Sequence, residues 1–164
     1  MLAGKVGEAT ELLDTHFPTV LHADDSTPKS APSGALLYVA PTSVEPSHLN
    51  INLRIQSFIE ACRTIPLEYP PNSTPSATPK SQKRTSQALE ERDQQTALLK
   101  CAQKLYAMVN MLLEPDRDRY LKELNNVLGI LAYKVPEESS VARYLSQDRR
   151  EAVAAQINSA ILCK

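Results

Sequence analysis

The chain has 164 residues and 18.1 kDa, with 42% apolar and 23% charged residues, which suits one compact domain with a sizeable core and excludes wholesale disorder. Eighteen Lys+Arg against 19 Asp+Glu leave a net charge of −1 and a pI near 6.3, without the basic excess of a general nucleic-acid or anionic-membrane binder. The longest apolar run, Ala35–Ala40, is far short of the ~18 residues of a membrane span, and MLAGKVGEATELL at the N-terminus lacks the apolar core of a secretory signal. Three widely separated cysteines (Cys62, Cys101, Cys163) fit free thiols in a cytoplasmic or nuclear protein, not a disulfide framework.

In chain order, residues 4–17 carry Val6, Ala9, Leu13 and Phe17 near helical spacing, and Pro18 closes the segment. Residues 23–47 hold Pro28, Pro32, Pro41 and Pro46 among serines and threonines and read as a long disordered loop. A helix is expected over 48–63, with Ile51, Ile55, Phe58, Ile59 and Cys62 in one stripe, Asn52, Arg54, Gln56 and Glu60 off it, and Ser47 as a possible N-cap. The alternation Leu49-Asn50-Ile51-Asn52-Leu53-Arg54-Ile55 also fits a strand, but the 3.6-residue period persists to Cys62 and favours the helix. Residues 66–86, with Pro66, Pro70, Pro71, Pro75 and Pro79, form a second proline-rich stretch, so the two stretches take nine of the twelve prolines.

The longest helix is expected to begin near Ser86, with Glu90, Glu91 and Asp93 at the positive end of its dipole and a stripe of Leu98, Ala102, Leu105, Val109 and Leu112. Pro115 stops it, and Asp116 can cap a further helix to about Leu131 with Leu121, Leu124, Leu128 and Leu131 as its stripe. Asp118–Lys122 and Arg119–Glu123 are available there as i,i+4 pairs, and the short link predicts an antiparallel pair of helices. A break at 134–140, a turn around 141–145, and a final helix opened by Ser146 or Asp148 and carrying Val153, Ile157, Ala160 and Ile161 complete the chain. The fold class expected is all-α, an antiparallel helical bundle interrupted by two long proline-rich loops.

Tests for chemistry return little. His16, His22 and His48 have no cysteine or carboxylate at ligand spacing, and four glycines write neither a phosphate loop nor a dinucleotide fingerprint. Cys101 sits within an apolar helical stripe, as a buried thiol would. Asp24-Asp25, Glu90-Glu91 and Glu137-Glu138 read as solvated charges, and Arg149-Arg150 with Gln156 and Asn158 make a poor recognition helix beside Asp148 and Glu151. No catalytic, cofactor-binding or metal-binding residue is assigned, and the expectation is no enzyme and no cofactor. Lys80, Lys83 and Arg84 form a small basic cluster in the second loop. Three Thr-Pro steps at Thr27, Thr74 and Thr78 are candidates for proline-directed phosphorylation. The apolar stripes are either core or interface, because periodicity does not separate the two. The candidate partner surfaces are Val153, Ile157 and Ile161 first, then Leu98, Leu105 and Val109.

LAGKVGEATELLDTHFPTVL at 2–21 and LNINLRIQSFIEACRT at 49–64 resemble a CTLH motif (C-terminal to LisH), and LGILAYKVPEESSVARYLSQDRREAVAAQINSAIL at 128–162 resembles the CRA domain of RanBPM-type proteins. The likeness covers about two thirds of the chain and rests on the order and spacing of its pieces. It implies a partial CTLH motif over 1–65 with an insertion at 23–47, a linker at 66–86 and a CRA-like domain over 87–164. It further implies a non-catalytic scaffold subunit of a GID/CTLH-type E3 ubiquitin ligase, supporting ubiquitin-dependent degradation. Such a subunit joins a hetero-oligomer with other LisH–CTLH–CRA subunits and RING subunits, with neither nucleic acid nor membrane as partner. SPRY and LisH segments of that family are absent from the sequence, which makes a truncated chain the expectation. The alternative is a stand-alone regulatory or Ran-GTPase-associated adaptor that binds through the proline-rich loops.

Overall fold

In a computed structural model of the chain, the described residues are 1–22, 43–67, 69 and 87–163. They form six α-helices, α1 (Val6–His16), α2 (Pro18–Leu21), α3 (Pro46–Ala61), α4 (Gln87–Asn110), α5 (Asp116–Leu128) and α6 (Gln147–Leu162). Three 3-10 turns, Gly129–Ala132, Pro136–Glu138 and Ala142–Leu145, link α5 to α6, and no strand occurs among the described residues. The all-α expectation holds. Most of both proline-rich stretches, with Thr27, Thr74, Thr78, Lys80, Lys83 and Arg84, lies outside the described residues.

Helix α3 sets the architecture. At 100° per residue, Leu49 and Leu53 face one way and Ile51, Ile55, Phe58, Ile59 and Cys62 face nearly the opposite way. All seven are buried. The first pair joins Val6, Leu13, Val20, Leu21, Val153 and Ala160 in a core built with α1, α2 and α6. The second set joins Ala102, Leu105, Val109, Tyr120, Leu124, Val127, Ile130 and Leu145 in a core built with α4, α5 and the 3-10 turns. The strand-like alternation at 49–55 is therefore the mark of a helix sandwiched between two cores.

Several local expectations are corrected. α3 opens at Pro46, whose missing N–H is harmless in the first turn, after an extended Glu45, so Ser47 is not the cap. Phe17 does not continue the α1 stripe: the chain bends there, Phe17 is exposed, and Pro18 opens α2, which buries Val20 and Leu21 instead. Helix α5 ends at Leu128 and tightens into the first 3-10 turn. Pro115, not Asp116, precedes it, and no side chain caps it. Its buried face runs through Tyr120, Leu124 and Val127, while Leu121, Leu128 and Leu131 pack partly buried at its edge. That face is centred on Tyr120 because its hydroxyl donates to the His48 carbonyl at 3.3 Å and its ring lies 5.6 Å from the His48 ring.

The 3-10 segment is tied back to the end of α3. The Glu137 carboxylate accepts from the Thr64 and Ile65 N–H groups at 2.7 and 3.0 Å and from the Thr64 hydroxyl at 2.8 Å. Glu137 is thus a tether, not a merely solvated charge. Burial alone would raise its carboxyl, but the N–H of Ile65, its own N–H and the Thr64 donors outweigh burial and hold it below the ordinary carboxylate value. A group titrating lower in the folded state contributes stability above its unfolded pKa of about 4.3 and loses it as pH falls through the lower folded value. In thermal melts, Glu137→Gln should lie below the parent at neutral pH, with the gap closing below about pH 4. A gap independent of pH would contradict the tether.

Candidate interaction surface

Charged groups that the sequence presents as solvated are used internally. Arg150, almost fully buried, donates through Nη1 to Glu60 Oε1 at 3.2 Å and to the Leu145 carbonyl at 3.0 Å. Its Nε and Nη2 reach Gln147 Oε1 at 2.9 and 2.8 Å. Glu60 also receives Arg63 Nε at 2.9 Å, and Arg63 Nη2 donates to the same Leu145 carbonyl at 2.8 Å. Arg149 pairs with buried Glu123 at 2.5 Å. Gln156 accepts from Asn52 at 2.9 Å and donates to the Ser43 carbonyl at 2.8 Å. The side chains of Arg149, Arg150 and Gln156 are thus turned inward and unavailable to a nucleic-acid groove. The expected pairs of α5 are replaced: Glu123 goes to Arg149, Arg119 to Asp116 at 3.7 Å and Asp118 to Arg117 at 3.8 Å.

The residues singled out as partner surfaces fall into two groups. Leu105, Val109 and Val153 are buried inside this chain, at 5% exposure or less, so their apolar surface is covered by its own helices. Leu98, Ile157 and Ile161 are half-buried at the margins of the two cores. Large apolar side chains that stand out include Leu162 at 76% exposure after Ile161, Leu99 at 51% after Leu98, and Met111 and Leu113 at 85% and 69% between α4 and α5.

A groove of about 470 Å³ lies between α1, the end of α2 and α3. Leu21 and Leu53 are its buried apolar lining, Glu11 and Asp14 come from α1, and Asn50, Arg54 and Ser57 come from α3. Asp14 is held by His22 at 3.0 Å, and Arg54 Nε donates to Asn50 Oδ1 at 2.8 Å. The signal for this groove is the polar spacing 50, 54, 57, which marks the strip of α3 that faces neither core.

Among the described residues, no group of three or more His, Cys, Asp or Glu is placed to hold a metal ion, and no helix is long and apolar enough to cross a membrane. The Cys62 thiol is pushed up to about 12 by burial and then by neighbouring Cys101, the opposite of an activated nucleophile.

A family model described as CTLH/CRA C-terminal to LisH motif domain matches residues 1–164. No curated protein and no solved structure matches the chain.

The buried pairs yield a direct test. Arg150→Ala removes one of the two guanidinium groups that Glu60 and the Leu145 carbonyl share, leaves Arg63 as the other, and should cost about 1.5–3 kcal/mol in urea denaturation at neutral pH. A loss under about 1 kcal/mol, as for an exposed ion pair, would contradict this placement.

Proposed function

The chain belongs to the CTLH/CRA C-terminal to LisH motif domain family, a family of protein-interaction domains, and on that basis we propose that it is a RanBPM-like scaffold module of a GID/CTLH-type ubiquitin ligase. The observation that carries this reading is the family match along residues 1–164. Its partners are other LisH–CTLH–CRA subunits and, through them, RING subunits. The work it does is non-covalent: it holds other chains by burying apolar helical surface, at about 25 cal/mol per Å² before ordering costs are subtracted. The margin of α6 is the first docking edge, where half-buried Ile157 and Ile161 adjoin exposed Leu162, and Leu98 on α4 is the second. Thr27, Thr74 and Thr78 serve as phosphorylation sites, each adding about −1.5 to −2 charge to its proline-rich stretch.

A pull-down of the tagged chain from its own cells should enrich LisH–CTLH–CRA proteins together with a RING subunit. Leu162→Asp, at an exposed position, should leave stability within about 0.5 kcal/mol of the parent while reducing that recovery. Deleting residues 67–85 should leave recovery intact. A soluble, folded bait that enriches none of these subunits contradicts the reading, and so does loss of partners on deleting the loop.

A further inference from the structure

The groove between α1 and α3 combines three features. First, Gly7 lines it, yet its backbone is not left-handed and a Cβ built there meets nothing within 4 Å, so the fold does not require glycine. Glycine in such a place permits close approach of another chain. Second, Glu11 lines the groove without an ion-pair partner among the described residues, while neighbouring Asp14 is already engaged by His22. Third, across from α1, Arg54 uses Nε on Asn50 and makes no ion pair among the described residues. The groove therefore has an apolar floor at Leu21 and Leu53, an anionic wall at Glu11 and a cationic wall at Arg54.

We propose that this groove is the docking site for a segment of a partner subunit that crosses α1 at Gly7, sets a lysine or arginine against Glu11 and sets a carboxylate against Arg54. The occupant is defined by charge complementarity: opposite signs on the two walls accept a segment carrying both signs in one orientation and repel it in the reverse orientation. Gly7 sets the steric condition, since any side chain there projects into open space that the partner fills. This rests on the scaffold reading above, and it assigns that reading a second surface, separate from the α6 margin.

The test uses the full chain and the LisH–CTLH–CRA subunit recovered with it. Gly7→Leu places a Cβ that meets none of the chain's own atoms within 4 Å and raises helix propensity, so its melting curve should lie at or above the parent's while the subunit binds roughly tenfold or more weakly. Arg54→Glu, at an exposed position, should weaken binding similarly and provides the second variant if Gly7→Leu melts early. Carbodiimide coupling of the complex should join Glu11 to a lysine of that subunit, and exchanging the two charges should restore binding that Glu11→Lys alone removes. Binding unchanged by both Gly7→Leu and Arg54→Glu overturns the groove and leaves the scaffold reading standing. Failure of the unmodified chain to bind any such subunit overturns both.

Discussion

Everything else in this molecule depends on the burial of α3 from two opposite sides. Leu49 and Leu53 feed one core, and Ile51, Ile55, Phe58 and Ile59 feed the other, so each core is incomplete without the same helix. A helix buried all round is normally apolar all round. α3 is not, and the polar residues between its two apolar faces must therefore be matched by partners inside the protein. Asn52 meets Gln156 of α6, Gln56 donates to Glu60 while its own Oε1 has no hydrogen-bond partner among the described residues, and Glu60 meets Arg150 of α6. These bonds fix the rotation of α3 and the position of α6 along it, which apolar contacts alone would leave loosely specified.

The same constraint divides the surface. Three strips of α3 are used internally, two apolar and one polar, and the strip through Asn50, Arg54 and Ser57 is left to line the groove with α1. The apolar stripes of α4 and α6 are covered at their centres and run out at their margins, near Leu98 and at Ile157, Ile161 and Leu162. A chain organised in this way has a good deal of shaped surface to offer another protein. That is the physical content of membership in a family of interaction domains.

How much of this the sequence discloses follows from the range over which each signal acts. Stripes such as Ala102, Leu105 and Val109 are local, set by helical period, but the spacing does not disclose that they pack inside this chain and not against a partner. Residues 49–55 look ambiguous between strand and helix because a single-stripe template has no place for a helix with two opposite apolar faces. Under that template Asn52 and Gln56 fall on the polar side and read as solvent-facing, although both are buried. The burial of Arg149 and Arg150 is not legible for a different reason: their acceptors, Glu123 and Glu60, lie 26 and 90 residues away, and no local pattern links them. Glu137 is similar, since its donors lie at Thr64 and Ile65. The groove needs α1 and α3 side by side before its two walls exist at all.

If α3 is packed within this chain before any partner arrives, a partner can meet only the surface left outside. Hydrogen–deuterium exchange on the full chain, alone and with a bound LisH–CTLH–CRA subunit, tests it most directly. The amides of residues 51–59 should be among the slowest to exchange in the free chain and change little on binding, while new protection falls on α1 or on the α6 margin. Rapid exchange of residues 51–59 in the free chain, slowed only by the partner, would contradict it.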